Sequence, residues 1–182
     1  IRSVWMIGIA AGCPNAAKPD DHVRLGDVVI ATDVVQHDNL VAKANASQRK
    51  PRGISTMRAI TQLSGAVIYE QQGETPEWVR LMSKAGFDRL RPEDSSDVLD
   101  DGNGPVEHPV QDLRRKSHPL VRFGVIASGN ILVKDPKLRD SIRDELKASA
   151  IEMEGTGAAI AAQTWDRKFV DVRGVVDYGN SQ

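Results

Sequence analysis

At 182 residues with 40% hydrophobic content, the chain holds one domain's worth of sequence and enough apolar side chains for a sizeable core. A formal net charge of −1 gives no support to nucleic-acid binding, and no apolar run approaches the about 18 residues of a membrane-spanning helix. The sole cysteine, Cys13, excludes an internal disulfide framework and fits a reducing compartment. The chain is therefore expected in the cytoplasm, without a signal peptide. It enters a strand almost at once and ends at Gln182, just past Asp177, so it is expected to be an internal piece of a longer protein.

In chain order, Val4 to Ala10 is an apolar run of strand length that leads into the small-residue turn Gly8–Gly12. Gly26 to Val35 is rich in β-branched residues and reads as a second strand, followed by His37 and Asp38. Ile54, Met57, Ile60 and Leu63, spaced by three, predict a helix over Arg52 to Ser64. Thr75-Pro76 reads as an N-cap followed by proline at the first helical position. Trp78, Leu81, Met82 and Ala85 would form that helix's apolar face, and Gly86 its stop. Arg91 to Pro119 is dense in Asp, Pro and Gly and reads as a long loop.

Leu120 to Ile126 is a third strand, running into Ala127-Ser128-Gly129-Asn130. Asp135-Pro136 starts a helix with Leu138, Ile142 and Leu146 as its buried stripe. Glu152-Met153-Glu154 then opens a helix packed with small residues. After a polar turn, the apolar run Phe169 to Val176, which carries Arg173, ends at Asp177. Helix then strand, with carboxylates at the start of one and the end of the other, is how an open α/β sheet brings acids to one crevice. Taken singly, Glu152 or Glu154 is equally a helix cap, and Asp177 equally a turn residue. The four histidines (His22, His37, His108, His118) lack metal-ligand spacing, so no metal is expected.

Glu152-Met153-Glu154, followed by Arg173-Gly174-Val175-Val176-Asp177, resembles the signature of the purine and uridine phosphorylase superfamily, which includes the methylthioadenosine/adenosylhomocysteine nucleosidases. Gly8–Gly12, Gly26–Val29 and Ile126–Asn130 resemble it too, and the ending Asp177-Tyr178-Gly179-Asn180-Ser181 is most similar to modules found in large fungal and bacterial proteins. The resemblance implies a three-layer α/β/α fold around a mixed, twisted sheet. It also implies a homo-oligomer, no cofactor and a single domain over residues 1–182. The segment at about 42–118 would be a variable insertion that covers the pocket or makes an oligomer contact.

The implied chemistry is cleavage of the N-glycosidic bond of a purine nucleoside or nucleotide, adenine-type, by hydrolysis. Such cleavages pass through an oxocarbenium-like state in which sugar hydroxyls are gripped harder. Glu154 would accept from two ribose hydroxyls, with Glu152 beside it and Met153 packed on the sugar. Asp177, its pKa raised by burial at the strand mouth, would protonate the purine at N7. Arg173 would position water or an anion, or form an ion pair within the sheet. By the same resemblance Leu132 and Val133 would contact the base, and Ile9 and Ala10 would line the anion-side turn. In the phosphorylases a hydroxyl side chain at the place of Ile9 holds phosphate, so Ile9 argues against phosphorolysis. Phosphorolysis is the first alternative. A non-catalytic nucleoside-sensing or oligomerising module of a larger signalling or defence protein is the second.

Overall fold

The computed structural model describes residues 2–43, 46–56, 64–65, 67, 75–87, 91–109 and 118–180. In chain order the elements are β1 (Ser3–Gly12), β2 (Val28–Gln36), β3 (Leu40–Lys43), β4 (Ala46–Arg49), β5 (Arg52–Ser55) and α1 (Glu77–Lys84). There follow β6 (Leu99–Asp100), β7 (Pro105–Val106), β8 (Val121–Ser128), α2 (Pro136–Leu146), β9 (Ala148–Glu152), α3 (Gly155–Thr164) and β10 (Lys168–Asp177).

Six strands form one mixed sheet in the order β10-β1-β9-β8-β2-β5, and β10 also pairs with β2, so the sheet curls back on itself. β1 runs parallel to β10, and β8 parallel to both β2 and β9. β1 and β9 meet antiparallel only at their ends, Ala11 opposite Ile151 and Gly12 opposite Ala150. Neighbouring residues of one strand feed two different cores, because successive strand side chains point to opposite faces. Ile126 and Ala150 join Ala159 and Ala162 of α3, while Ala127 and Ile151 join Ile142 of α2. The two helices therefore cover opposite faces, which gives the three-layer α/β/α arrangement.

Several elements depart from the sequence-based expectation. The predicted helix over 52–64 begins instead as β5, an antiparallel partner of β2, with Ile54 opposite Val34 and both in the core. Pairing with an available sheet edge overrides the three-residue spacing there. Met57, Ile60 and Leu63 lie outside the described residues. In α1, Pro76 stands at the N-cap rather than the first helical position, and Val79 is the buried residue, whereas Leu81, Met82 and Ala85 are exposed. The stop at Gly86 holds: Gly86 has φ +86. The long loop contains the small hairpin β6–β7. The Asp135 cap is as expected, its side chain accepting from the Lys137 amide.

Glu152-Met153-Glu154 does not open the helix. Glu152 ends β9, and α3 starts at Gly155.

Candidate active site at the strand ends

The carboxyl ends of β1, β9 and β10 and the loop after β8 enclose a cleft of about 380 Å³. This volume suits a small organic ligand, and the crevice outside strand carboxyl ends is where α/β sheets bind them. Every residue expected at the site lines it: Ile9 and Ala10 from β1, Leu132 and Val133 from the loop, Glu152, Met153 and Glu154 from the β9–α3 turn, and Arg173 and Asp177 from β10. Gly8, Ala11, Ile131, Ile151 and Val176 complete the lining. None of the described residues of 42–118 is among them.

The two glutamates have different surroundings. Glu152 is buried and serves as the cap of α3: its carboxylate accepts from the amides of Glu154 and Gly155 at 2.8–2.9 Å. Ser128 Oγ takes the next helix amide, that of Thr156, at 2.9 Å. With those helix amides satisfied by other groups, the Glu154 carboxylate has no capping role. Its side chain is 63% exposed, with Oε2 3.6 Å from Arg173 Nη1.

Arg173 is buried, and its guanidinium is held from two sides. Nη2 makes a short bond to Glu152 Oε2, and Nε donates to Asp171 Oδ1 at 2.7 Å. It is thus the anchor of an ion-paired cluster beneath the cleft. Gly8 gives it room, since a Cβ there would lie 2.5 Å from Nη1.

Asp171 was passed over in the sequence. Its signal is its place two residues before Arg173 on one strand, which puts both side chains on the same face. Asp171 is fully buried, and burial, reinforced by the Glu152 charge and opposed by Arg173, pushes its carboxyl up to about 6.

Asp177 is exposed, contrary to the burial expected of it, and its Oδ1 accepts from the Gly179 amide at 2.7 Å. The residue after it is the anchor. The Tyr178 ring is buried, and its hydroxyl donates to Asp97 Oδ1 in a short bond while accepting from the Leu25 amide at 3.1 Å. Asp97 also accepts from Arg24 Nε at 2.6 Å and Arg91 Nη2 at 2.9 Å. His108 Nε2 faces the Asp97 backbone oxygen at 2.8 Å, and His108 Nδ1 meets His22 Nε2 at 2.9 Å. Burial alone would raise the Asp97 carboxyl, but the bonds from His108, Tyr178 and Arg24 outweigh it and hold it well below the usual range. Arg139 donates to the Tyr178 and Asp100 carbonyls at 2.9 Å and ties the same two segments together.

His37 and Asp38 support the turn after β8. Asp38 accepts from the Asn130 amide at 2.7 Å, and His37 packs against Gly129. Among the described residues no group of His, Cys, Asp and Glu is arranged to hold a metal ion, and no helix is long and apolar enough to cross a membrane.

The phosphorylase-superfamily model matches residues 1–182. The chain belongs to the phosphorylase superfamily. Among curated proteins, this superfamily member is 30% identical to a nucleotide-binding leucine-rich repeat (NLR)-like protein of Hyaloscypha variabilis, over 100% of this chain and 19% of that protein. It is 29% identical to the aminodeoxyfutalosine nucleosidase of Helicobacter pylori over 40% of this chain and 32% of that protein. Among solved structures, the futalosine hydrolase of Helicobacter pylori gives a TM-score of 0.56 at 19% identity, over 99% of this chain and 57% of that one. The 5′-methylthioadenosine/S-adenosylhomocysteine nucleosidase from the same organism gives 0.58 at 19%, with the same coverage. The chain thus spans little more than half the length of the solved relatives and between 19% and 36% of the curated ones. At this identity the structural likeness concerns the fold.

Proposed function

We propose that the cleft cleaves the N-glycosidic bond of an adenine-type purine nucleoside or nucleotide by hydrolysis. The observation that carries this reading is the pairing of two exposed carboxylates, Glu154 and Asp177, in one nucleoside-sized cleft whose other walls are largely apolar. Glu154, left out of the helix cap, is available to accept from two ribose hydroxyls and to face positive charge as it develops on the sugar. Asp177 protonates N7, so that the base departs neutral rather than as an anion, a contribution of roughly 10²–10⁴-fold. Its turn bond to Gly179 occupies Oδ1 and leaves Oδ2 for the proton. Met153, Ile131 and Leu132 supply apolar surface for the sugar and base faces. Arg173 acts through the carboxylates it holds.

Water is the nucleophile in this reading. Ile9 and Val176 are 65% and 49% exposed where they line the cleft. Two apolar side chains there would desolvate a phosphate ion without replacing its hydrogen bonds, a cost of several kcal/mol, roughly 2–7 per group. Arg173, bonded to Glu152 and Asp171, has little charge left to offset that. The nucleosidase names of the Helicobacter relatives support hydrolysis as well.

The fungal NLR-like relative supports a second setting, in which this fold is one module of a larger protein and the nucleoside is a signal. Trp5, Ile7 and Ile9 project from alternate positions of β1 and are exposed, an apolar row that fits association of copies. The buried, unpaired Cys13 fits a cytoplasmic setting.

The deciding assay incubates the complete protein with purine nucleosides and nucleotides, with and without inorganic phosphate, and identifies the sugar product. Free ribose, or ribose bearing only its original 5′ group, is expected in both conditions. A ribose 1-phosphate that appears only with phosphate contradicts hydrolysis and promotes phosphorolysis. Binding without any turnover promotes the sensing module.

A further inference from the structure

One guanidinium serves three carboxylates beneath the cleft. Glu152 is saturated: its oxygens take Arg173 and two backbone amides. Asp171 is not. Oδ1 accepts from Arg173 Nε at 2.7 Å, while the buried Oδ2 has no hydrogen-bond partner among the described residues. The missing side chain of Gly155 shows how close the two acids stand. Glu152 Oε1 and Asp171 Oδ2 come within 2.7 and 2.8 Å of the single point where a Gly155 Cβ would be. Two like charges so close to one another, with one cation between them, favour a proton on the carboxyl that has an idle oxygen.

We propose that Asp171 is a positioning residue whose one proton sets how far Arg173 is shared with Glu154, and so how firmly Glu154 holds the ribose hydroxyls. This rests on the reading of Glu154 as the ribose-binding group.

With Asp171 ionised, Arg173 is bound on both sides by buried carboxylates, and Glu154 keeps its charge for the sugar. When a proton from solvent settles on Oδ2, the Nε bond to Asp171 loses its charge assistance. The guanidinium, 3.6 Å from Glu154 Oε2, is then free to pair with that exposed carboxylate instead. Glu154 becomes a weaker acceptor, and the site loses one negative charge facing the developing oxocarbenium.

Among the described residues, the charged groups that act on Asp171 are Arg173 on its own strand, Glu152 at the end of β9 and Glu154 in the turn. α3 carries no ionisable side chain, and the β1 residue opposite Arg173 is Gly8. A carboxyl pushed up to about 6 places the changeover just below neutrality.

The test reads binding and turnover separately between pH 5 and 8. Calorimetry compares adenosine with 2′,3′-dideoxyadenosine on the wild-type protein and on Asp171→Asn, with kcat/KM followed in parallel. Wild-type affinity for adenosine should rise roughly tenfold as pH increases through about 6, the scale of one charge acting across several ångströms of partly solvated protein. The dideoxy ligand, lacking the hydroxyls, should show no such rise. Asp171→Asn should bind adenosine at the wild type's acid-limb level throughout.

An inflection that survives in Asp171→Asn overturns the proposal. Should that variant not fold, the two ligands on the wild type decide alone: the same pH profile for both overturns it. A protein that shows the Asp171-dependent inflection in binding but never turns over sinks the hydrolase reading and leaves this one standing. Turnover with a flat adenosine profile does the reverse.

Discussion

Around Arg173 one guanidinium faces three carboxylates; around Asp97 one carboxylate faces two guanidiniums, a tyrosine hydroxyl and a histidine. The centres of both clusters, Arg173 and Asp97, are buried, and both brace β10 or the turn that follows it: Arg173 lies four residues before Asp177, and Tyr178 one residue after. Their charge balance is opposite, and so is their response to pH. A surplus of donors holds Asp97 well below the usual carboxylate range, so its stabilisation is complete above the unfolded value and disappears only as pH falls through its folded pKa in strong acid. Burial, with the Glu152 charge adding to it, pushes Asp171 up to about 6 against the pull of Arg173, so its contribution is greatest below the unfolded value and is lost as pH rises through about 6. The donor-rich cluster is a fixed brace. The acceptor-rich one is adjustable, and it is the one that lines the cleft.

The largest expected effect comes from breaking the fixed brace. Asp97→Ala takes a shared acceptor away from the buried Arg91, the part-buried Arg24 and the Tyr178 hydroxyl, which costs about 3–5 kcal/mol. In denaturant unfolding the gap from wild type should stay constant between pH 5 and 8. A gap that shrinks towards pH 5 would show that Asp97 titrates in that range and that the brace is not fixed.

A smaller loss is expected from crowding the adjustable cluster. Gly155→Ala places a Cβ 2.7 Å from Glu152 Oε1 and 2.8 Å from Asp171 Oδ2. Both acids are pinned by Arg173, so overpacking should cost roughly 1–3 kcal/mol. Gly157→Ala, two residues along the same helix, meets nothing within 4 Å and should be neutral or gain about 1 kcal/mol in helix propensity. Equal melting shifts for the two variants would show that the acids are not held tightly at Gly155.

Much of the frame was legible in the sequence because it rests on local patterns. The β-branched run of β2, the Asp135-Pro136 helix start and the carboxylates flanking the last helix–strand unit are readable within a few residues. The Asp97–Tyr178 bond joins positions 81 apart and leaves no local trace. β9 was missed because Ala148-Ser149-Ala150 has little strand preference of its own; it is a strand because β8 pairs along it. β5 was misread for the same reason, its partner β2 being set by tertiary pairing. Which glutamate caps the helix also had to wait for the fold. Two glutamates two residues apart look alike in sequence, and only the end of β9 turns Glu152 inward and leaves Glu154 facing the cleft. Asp171 is different, since its two-residue spacing from Arg173 is a local pattern that puts both side chains on one face of the strand.

The role given to Asp177 is the most direct point of test. Asp177→Asn preserves shape and can still accept from the Gly179 amide, but cannot deliver a proton to N7 in the same way. Turnover of adenosine-type substrates should fall by roughly 10²–10⁴-fold, with melting temperature and affinity for a non-reacting purine nucleoside analogue unchanged. Turnover within a few-fold of wild type would contradict the account and remove Asp177 from the chemistry.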